Sequence, residues 1–432
     1  MQVLITVLAI FFTLAVERSI YRLYWDFKTE KEKRDYLGTI FLTLCTISVI
    51  VLVLLFLSKS IVGLLYKAIP FYPYYAFAIL IAFFAVFQQV PKIYLQLQQK
   101  PGSFVAISIL QFTFSTAMII WYVVGLKSGA EGMLKGQVIG GALMLPLFLF
   151  LSLKMINISF KPEIFKESLK FSIPMIPMAL SSWALNLSDR IFIERYFSLA
   201  DVGIYSLGYK IAGLSMIVGS AFNVAYEPIF FKLANSDDQI VAKKQLFFYN
   251  NTYVMVALLI CFLISLFAKE AIVLLLDERY SNAYKIVPII ILAFFISDAG
   301  GLMNRSIYQE KKTMAMMLIV ASASLLSIAL NFILVPIFGV YGAACTVLFS
   351  YTGMSFIEYW YAKRCYFIDY DWNMIIKGLS LAVIMISLFY IIDMNIYLSL
   401  FIKLIITIGV LLYLYTRFSD EIKLMSGGVI GK

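Results

Sequence analysis

The amino-acid sequence predicts an all-α, polytopic membrane protein, and three observations lead to this fold class. Of the 432 residues, 62% are hydrophobic and only 14% are charged, whereas soluble domains are about 45–50% apolar and about 25% charged. A membrane-spanning helix needs about 20 apolar residues, and thirteen such stretches follow one another along the chain. The connections between them are short, which leaves too little chain for a sizeable aqueous domain.

The thirteen predicted transmembrane helices are separated by segments that hold most of the charges and helix-breaking residues. The predicted spans are residues 1–17, 38–58, 73–92, 103–125, 133–153, 170–197, 203–231, 245–267, 284–304, 313–336, 340–361, 374–392 and 397–416. Glu17, Arg18 and Arg22 follow the first apolar run directly. This order favours a retained anchor over a cleaved signal peptide, which would end in small residues.

The distribution of Lys and Arg predicts how the chain is oriented. The loops after the odd-numbered spans hold about 23 of the 35 basic residues, and the loops after the even-numbered spans hold about 7. Short loops rich in Lys and Arg stay on the cytoplasmic side. We therefore expect a cytoplasmic C-terminus and an external N-terminus, in a bacterial or archaeal cytoplasmic membrane. The net charge of +10 then reflects these loops, and no nucleic-acid partner is expected.

Several residue types that support enzyme chemistry are missing or scattered in the sequence. The chain has no histidine, which removes the usual general base, metal ligand and near-neutral proton relay. The four cysteines are far apart and lie in or near apolar stretches, as buried small hydrophobic residues do. No Walker A motif is present. We therefore expect no enzyme activity, no metal and no cofactor, with H+ or Na+ as the candidate coupling ion.

Two similar turns predict an internal repeat at an offset of 210 residues. Gly129-Ala-Glu-Gly132 and Gly339-Val-Tyr-Gly342 each join two spans, and the same offset aligns Glu227 with Glu17. It also aligns three further pairs of spans. An offset of six helices preserves orientation, so the repeat is parallel and predicts two pseudo-symmetric lobes.

The repeat divides the chain into three expected parts. Residues 1–160 form an N-terminal lobe of five helices, and residues 161–365 form a C-terminal lobe of six. Residues 366–432 supply two further transmembrane helices and a cytoplasmic tail. The counterpart of span 170–197 would precede Met1, so we expect the first helix of the repeat to be missing.

Four sequence motifs resemble the polysaccharide transporter family. They are Ser172-Ile-Pro-Met-Ile-Pro177, Leu187-Ser-Asp189-Arg190, the run from Asp201 to Ala212, and Glu227-Pro228. This family comprises the O-antigen and capsule repeat-unit flippases of the multidrug/oligosaccharidyl-lipid/polysaccharide exporter superfamily. The resemblance implies two six-helix lobes, often with two further helices, and transport by alternating access. It also implies a polyprenyl-diphosphate-linked glycan as substrate, with membrane lipids and other polysaccharide assembly proteins as partners.

Basic residues within or beside the spans are the candidate substrate contacts. A charge at the centre of a bilayer costs about 2.5–3.5 kcal/mol on insertion scales, so such residues usually face a cavity or a partner. A diphosphate is anionic, and Arg or Lys is its natural ligand. We assign Lys210, Arg190, Arg18 and Arg22 to the diphosphate or sugar, with Lys210 foremost. The alternatives are snorkelling to the interface and, for Arg190, an ion pair with Glu194 one turn away.

A second set of polar residues is expected to line the cavity or to couple transport to an ion. Ser182, Asn186 and Asp189 share one helical face in span 170–197. Glu227 is expected to close an inner gate with Arg18 or Arg22. Asp298 interrupts an apolar helix and is the candidate for binding H+ or Na+, the alternative being a salt bridge to another helix.

Three functions are compatible with these residues. The first is a flippase for lipid-linked oligosaccharide. The second is a cation-coupled multidrug exporter of the same superfamily, whose cavity is expected to be dominated by acidic residues. The third is a membrane glycan polymerase or ligase, which needs a substantial outer loop with catalytic groups. The longest predicted outer loop, 268–283, has about 16 residues, and the basic candidates favour the anionic lipid substrate.

Overall fold

The computed structural model describes residues 1–57, 70–310, 312–391, 395–410 and 412. All regular secondary structure within these residues is helical. Contacts divide the chain into two compact units, unit 1 from Met1 to Trp183 and unit 2 from Ala184 to Lys432. Each unit is described separately below.

Unit 1 contains eight helices and most of a ninth, several of them interrupted. They are α1 (Gln2–Thr13), α2 (Arg18–Leu23), α3 (Glu30–Leu57), α4 (Ala76–Val86), α5 (Gln89–Leu97), α6 (Pro101–Ile120), α7 (Gly129–Met155), α8 (Pro162–Ser172) and α9 (Met175–Leu187). The buried core of the unit is apolar and includes Phe12, Ile20, Tyr36, Ile40 and Ile79. By contrast α6 buries none of its residues, which suits a helix whose side chains face lipid.

Unit 2 contains the remaining helices, among them the longest, α14, of 50 residues. They are α10 (Asp189–Tyr196), α11 (Leu199–Ala234), α12 (Gln239–Leu275), α13 (Val287–Gln309), α14 (Thr313–Ala362), α15 (Trp372–Ile391) and α16 (Ile396–Val410). Ser198 begins α11 as an N-cap, because its hydroxyl accepts a hydrogen bond from the amide of Asp201. The core of this unit is built from α10 to α15 and includes Ile193, Tyr205, Phe230, Leu246 and Ile290.

Each of the thirteen predicted spans falls mainly on helix within the described residues. Nine helical segments of the described residues are long and apolar enough to cross a membrane, if α4 and α5 are counted together as Phe71–Leu97, or ten if α1 and α2 are one bent span. Fewer spans are counted than the thirteen predicted because α14 contains two of the predicted spans. In addition, α9, α10 and α16 are each shorter than 18 residues. The chain is therefore an all-α, multi-pass membrane protein.

Positive φ angles mark two breaks in these helices. Leu14 and Ala15 have φ of 47° and 56°, and α1 and α2 are bent by 53° there. Gly339 has φ 57° and ψ −132°, and divides α14 into two limbs. This combination is open to glycine and strained for other residues.

The backbone repeats itself at the offset that the sequence predicts. Gly129, 210 residues before Gly339, also has a positive φ, of 52°. The same offset aligns the start of α12 with that of α3 and the start of α13 with that of α4, each to within one residue. The two glycines therefore share a positive φ at positions 210 residues apart, as a parallel repeat predicts.

Candidate functional site

A buried polar arrangement in unit 2 surrounds Arg190 at the start of α10. The guanidinium Nη1 donates to Asp189 Oδ1 at 3.0 Å and to the backbone carbonyl of Asn186 at 3.0 Å. Both charged residues are buried, Asp189 to 2% exposure and Arg190 to 9%. Arg190 therefore pairs with its neighbour in sequence, and its predicted alternative partner Glu194 is not involved.

Tyrosine rings enclose this ion pair. The Arg190 guanidinium carbon lies 4.4 Å from the ring centroid of Tyr209 and 5.5 Å from that of Tyr205, within the range of cation–π attraction. Tyr205 also donates its hydroxyl hydrogen to Asp189 Oδ2. Tyr351 donates to Asn186 Oδ1 at 2.6 Å. We call the six residues the Arg190 cluster: Asn186, Asp189, Arg190, Tyr205, Tyr209 and Tyr351.

The Arg190 cluster joins four helices, because its members come from α9, α10, α11 and α14. Its chemistry combines a cation that binds phosphate bidentately with aromatic faces and hydroxyl groups that suit sugars. In this structure the cation is neutralised by Asp189, so an incoming anion has to replace that carboxylate. The three tyrosines were not predicted, since their number in the sequence is explained equally well by aromatic belts at the membrane interface.

Lys210 lies apart from this cluster. It follows Tyr209 in α11, but its side chain is exposed at the surface. No hydrogen bond or ion pair joins it to another described residue of unit 2. The two foremost basic candidates therefore do not share one site in this conformation, and the role predicted for Lys210 stays a prediction.

The other basic candidates form ion pairs close to the start of the chain. Arg18 Nε lies 4.0 Å from Glu17 Oε1. Arg22 Nη1 lies 2.7 Å from Asp26 Oδ1, one turn further along, and its side chain is 62% exposed. The exposed pair between Arg22 and Asp26 contributes little to stability. Because its side chain is exposed, Arg22 is accessible to a ligand.

The remaining predicted residues occupy different environments. Ser182 is half-buried one turn before Asn186 in α9, and Glu227 is exposed in α11. Asp298 is half-buried in α13, where Gly219 of α11 and Tyr253 of α12 approach it. A Cβ atom at Gly219 would lie 2.7 Å from Asp298 Oδ2 and 2.9 Å from Tyr253 Oη. A glycine is therefore needed for these two polar groups to lie against α11.

Lys92 and Arg305 lie at the ends of the predicted spans 73–92 and 284–304, and both are part of helices. Lys92 lies in α5 and donates to Gln88 Oε1 at 2.6 Å and Gln111 Oε1 at 2.7 Å. Arg305 lies in α13, is 7% exposed and donates to Asn223 Oδ1 at 2.5 Å. Both are near a helix end, where hydropathy alone cannot separate the span from its connection.

An apolar groove of about 700 Å³ runs along unit 2 between α12, α15 and α16. Its walls include Leu258, Phe262, Leu381 and Met385, and its polar residues, which include Asn373 and Lys377, come from the first turns of α15 and the segment before it. Among the described residues no group of three or more acidic or cysteine side chains is placed to hold a metal ion.

Comparison with known proteins identifies the family. Residues 1–285 match the model of a family described as polysaccharide biosynthesis protein. The chain belongs to this family. The region that matches the polysaccharide biosynthesis family covers about two thirds of the sequence and includes α10 and α11. No curated protein sequence matches the chain significantly.

Solved structures with the same fold are membrane transporters and a flippase. The lipid II flippase MurJ in its inward closed conformation has a TM-score of 0.69 and 16% identity, over 97% of this chain and 92% of that one. The Vibrio cholerae MATE transporter VcmN in its bent form has a TM-score of 0.58 and 14% identity, over 84% and 85%. An inward-facing MATE multidrug transporter of the MOP superfamily has a TM-score of 0.58 and 13% identity, over 84% and 87%. This member of the polysaccharide biosynthesis family therefore has a transporter fold.

Proposed function

We propose that this protein is a flippase that moves polyprenyl-diphosphate-linked oligosaccharide repeat units across the cytoplasmic membrane for surface polysaccharide synthesis. The observation that carries the proposal is the Arg190 cluster, a buried guanidinium framed by tyrosines in a chain of the polysaccharide biosynthesis family. O-antigen and capsule repeat units are the substrates that this proposal covers.

The chemistry of the Arg190 cluster suits both parts of such a headgroup. Asp189 neutralises Arg190 in this structure, which reduces the cost of a charge within the membrane domain. A diphosphate offers Arg190 the same bidentate geometry with more negative charge. The Asn186 amide and the tyrosine hydroxyl groups then supply hydrogen bonds for a sugar, and the apolar groove of unit 2 is a candidate for the prenyl chain.

Alternating access needs an energy source or a substrate gradient, and Asp298 is the proposed ion-coupling residue. Its carboxylate and the hydroxyl of Tyr253 lie against Gly219, which supports a small site for H+ or Na+. The same observation favours the second candidate function, a cation-coupled multidrug exporter. The buried Arg190 favours an anionic substrate over the cationic drugs that an acid-dominated cavity would bind.

The orientation follows from the charge distribution. We propose that the loops after the odd-numbered spans, and with them the C-terminus, lie in the cytoplasm. The partners of the protein are then the membrane lipids, the lipid-linked glycan made on the cytoplasmic face and the assembly proteins that polymerise it outside.

A deletion and complementation experiment tests the proposed function. A strain without this gene is expected to lose its surface polysaccharide and to accumulate the lipid-linked repeat unit on the cytoplasmic side. The intact gene restores the polysaccharide, and the same gene with Arg190→Met does not. Unchanged surface polysaccharide in the deletion strain, together with increased sensitivity to cationic drugs, supports the exporter and contradicts the flippase.

A further inference from the structure

We propose that unit 2 carries a binding site for an anionic phospholipid, in a groove between the two limbs of α14. The groove has a volume of about 510 Å³. It is lined on one limb by Met314, Leu318 and Ile319, and on the other by Ile357 and Tyr361, with Lys312 at its end. We call it the Lys312 groove. It is separate from the Arg190 cluster, and the proposal does not depend on the transported substrate.

The end of the groove is basic. Lys312 Nζ lies 5.8 Å from the centroid of the Tyr361 ring and 3.6 Å from Cys365 Sγ. Lys363 Nζ lies 4.5 Å from the ring of Tyr359. These cations therefore rest on aromatic rings and a thiol, and they retain donors for a phosphate.

A third cation, Arg364, lies three residues after Tyr361 in the sequence. The Arg364 guanidinium lies 3.7 Å from the centroid of the Trp360 ring. Among the described residues, no carboxylate lies within 4 Å of the charged atoms of Lys312, Lys363 or Arg364. Lys312 therefore lies at the end of the groove without a paired anion, Lys363 and Arg364 follow within three residues of Tyr361, and an anionic headgroup is the complementary partner. Basic pockets between transmembrane helices on the cytoplasmic side are a known means of binding acidic lipid headgroups.

The walls of the groove suit an acyl chain. Met314 and Leu318 are 63% and 60% exposed, and Ser322 of the same limb also lines the groove. From Met314 to Ser322 the helix rises about 12 Å at 1.5 Å per residue, which accommodates part of one chain. Exposed apolar side chains are ordinary in a membrane, but here they end at Lys312, which has no carboxylate within 4 Å among the described residues.

Snorkelling is the simpler explanation of the same cations, and it predicts a different result. A snorkelling lysine reaches bulk headgroups of any kind, whereas a built site distinguishes anionic from zwitterionic lipid and is blocked when its groove is filled. A free phosphate group would bind the same cations, but it would not contact the apolar walls of the groove.

Native mass spectrometry of the full-length protein in detergent tests the site. The probes are dioleoylphosphatidylglycerol, dioleoylphosphatidylcholine and glycerol 1-phosphate. The test variant is Lys312→Gln with Lys363→Gln and Arg364→Gln. The matched control removes three exposed lysines of unit 1 that are expected on the same membrane side, Lys154→Gln with Lys166→Gln and Lys170→Gln. Ser322→Trp fills the groove without changing the charge.

The parent protein and the control variant are expected to bind phosphatidylglycerol more tightly than phosphatidylcholine. The triple variant at the groove loses at least about fivefold in phosphatidylglycerol affinity, since one basic residue near a membrane surface contributes about 1 kcal/mol. Ser322→Trp weakens both lipids, and glycerol 1-phosphate does not compete at millimolar concentration.

Equal phosphatidylglycerol binding by the groove variant and the control variant would overturn the proposal, and so would full competition by glycerol 1-phosphate. The charge-conserving variant Lys312→Arg with Lys363→Arg guards against a folding defect, because it is expected to keep the lipid preference. Loss of binding in this variant at unchanged elution from gel filtration also contradicts the site.

Discussion

Glu270 of α12 and Lys403 of α16 form a buried ion pair. Lys403 Nζ lies 2.7 Å from Glu270 Oε1, and the two side chains are 1% and 3% exposed. Ser399 donates to the same carboxylate at 2.8 Å, and Lys403 also donates to the Leu266 carbonyl. These bonds fasten the last described helix of unit 2 to α12.

The first prediction concerns the stability of this pair. Lys403→Met leaves the Glu270 charge buried and unpaired, which is expected to cost about 3–5 kcal/mol. Glu270→Gln with Lys403→Met removes both charges and is expected to be much closer to the parent. Thermal unfolding of the purified protein measures the difference. If the single variant is as stable as the double variant, the pair has no structural role.

The second prediction concerns the break in α14. Gly339→Ala forces a side chain into a positive-φ conformation and is expected to destabilise the protein by about 1–2 kcal/mol. Gly301→Ala is the matched control, because a Cβ atom there has no neighbour within 4 Å and alanine favours a helix by about 1 kcal/mol. A lower unfolding temperature for Gly339→Ala and not for Gly301→Ala is the expected result.

The third prediction concerns the close approach at Gly219. Gly219→Ala places a methyl group against Asp298 and Tyr253 and is expected to reduce gradient-dependent transport about as much as Asp298→Asn does. Gly213→Ala lies two turns earlier in α11, where a Cβ atom meets nothing within 4 Å, and should transport normally. Transport is measured in proteoliposomes with an imposed H+ or Na+ gradient. Full gradient dependence in Asp298→Asn contradicts the coupling role.

The fourth prediction separates Arg190 from Lys210. Arg190→Lys keeps the charge but loses bidentate bonding, and hydrogen bonds to charged groups contribute about 1.5–3 kcal/mol. We expect a decrease of about 10- to 100-fold in transport of the lipid-linked substrate. Lys210→Ala is compared with it in the same assay. If Lys210 contacts the substrate, as the sequence predicts, Lys210→Ala also lowers transport. Normal transport by Lys210→Ala would show that Lys210 is not part of the substrate site.

The sequence predicts the helices better than it predicts the site. Apolar runs of about 20 residues and the charges between them predict the spans, and the Gly129 and Gly339 turns predict the repeat. The site depends on contacts between distant helices, such as that between Asn186 and Tyr351. A tyrosine in an apolar helix carries the same local signal whether it faces lipid, core or substrate.

Basic residues near helix ends show the same limit. Arg305 directly follows the predicted span 284–304, yet it lies in α13, is 7% exposed and lies against the ring of Tyr226. Its Asn223 partner is 82 residues away. Hydropathy measures how apolar a segment is, whereas the environment of one guanidinium is set by its neighbours in space.

The most direct test of the central claim is a flipping assay in proteoliposomes that contain the purified protein and a polyprenyl-diphosphate-linked oligosaccharide. The parent protein is expected to move the glycan from one leaflet to the other. Asp189→Asn with Arg190→Met, which removes both charges of the buried pair and leaves no unpaired carboxylate, is expected to abolish this movement while the protein stays folded. Flipping at the parent rate by this double variant would contradict the role of the Arg190 cluster in transport.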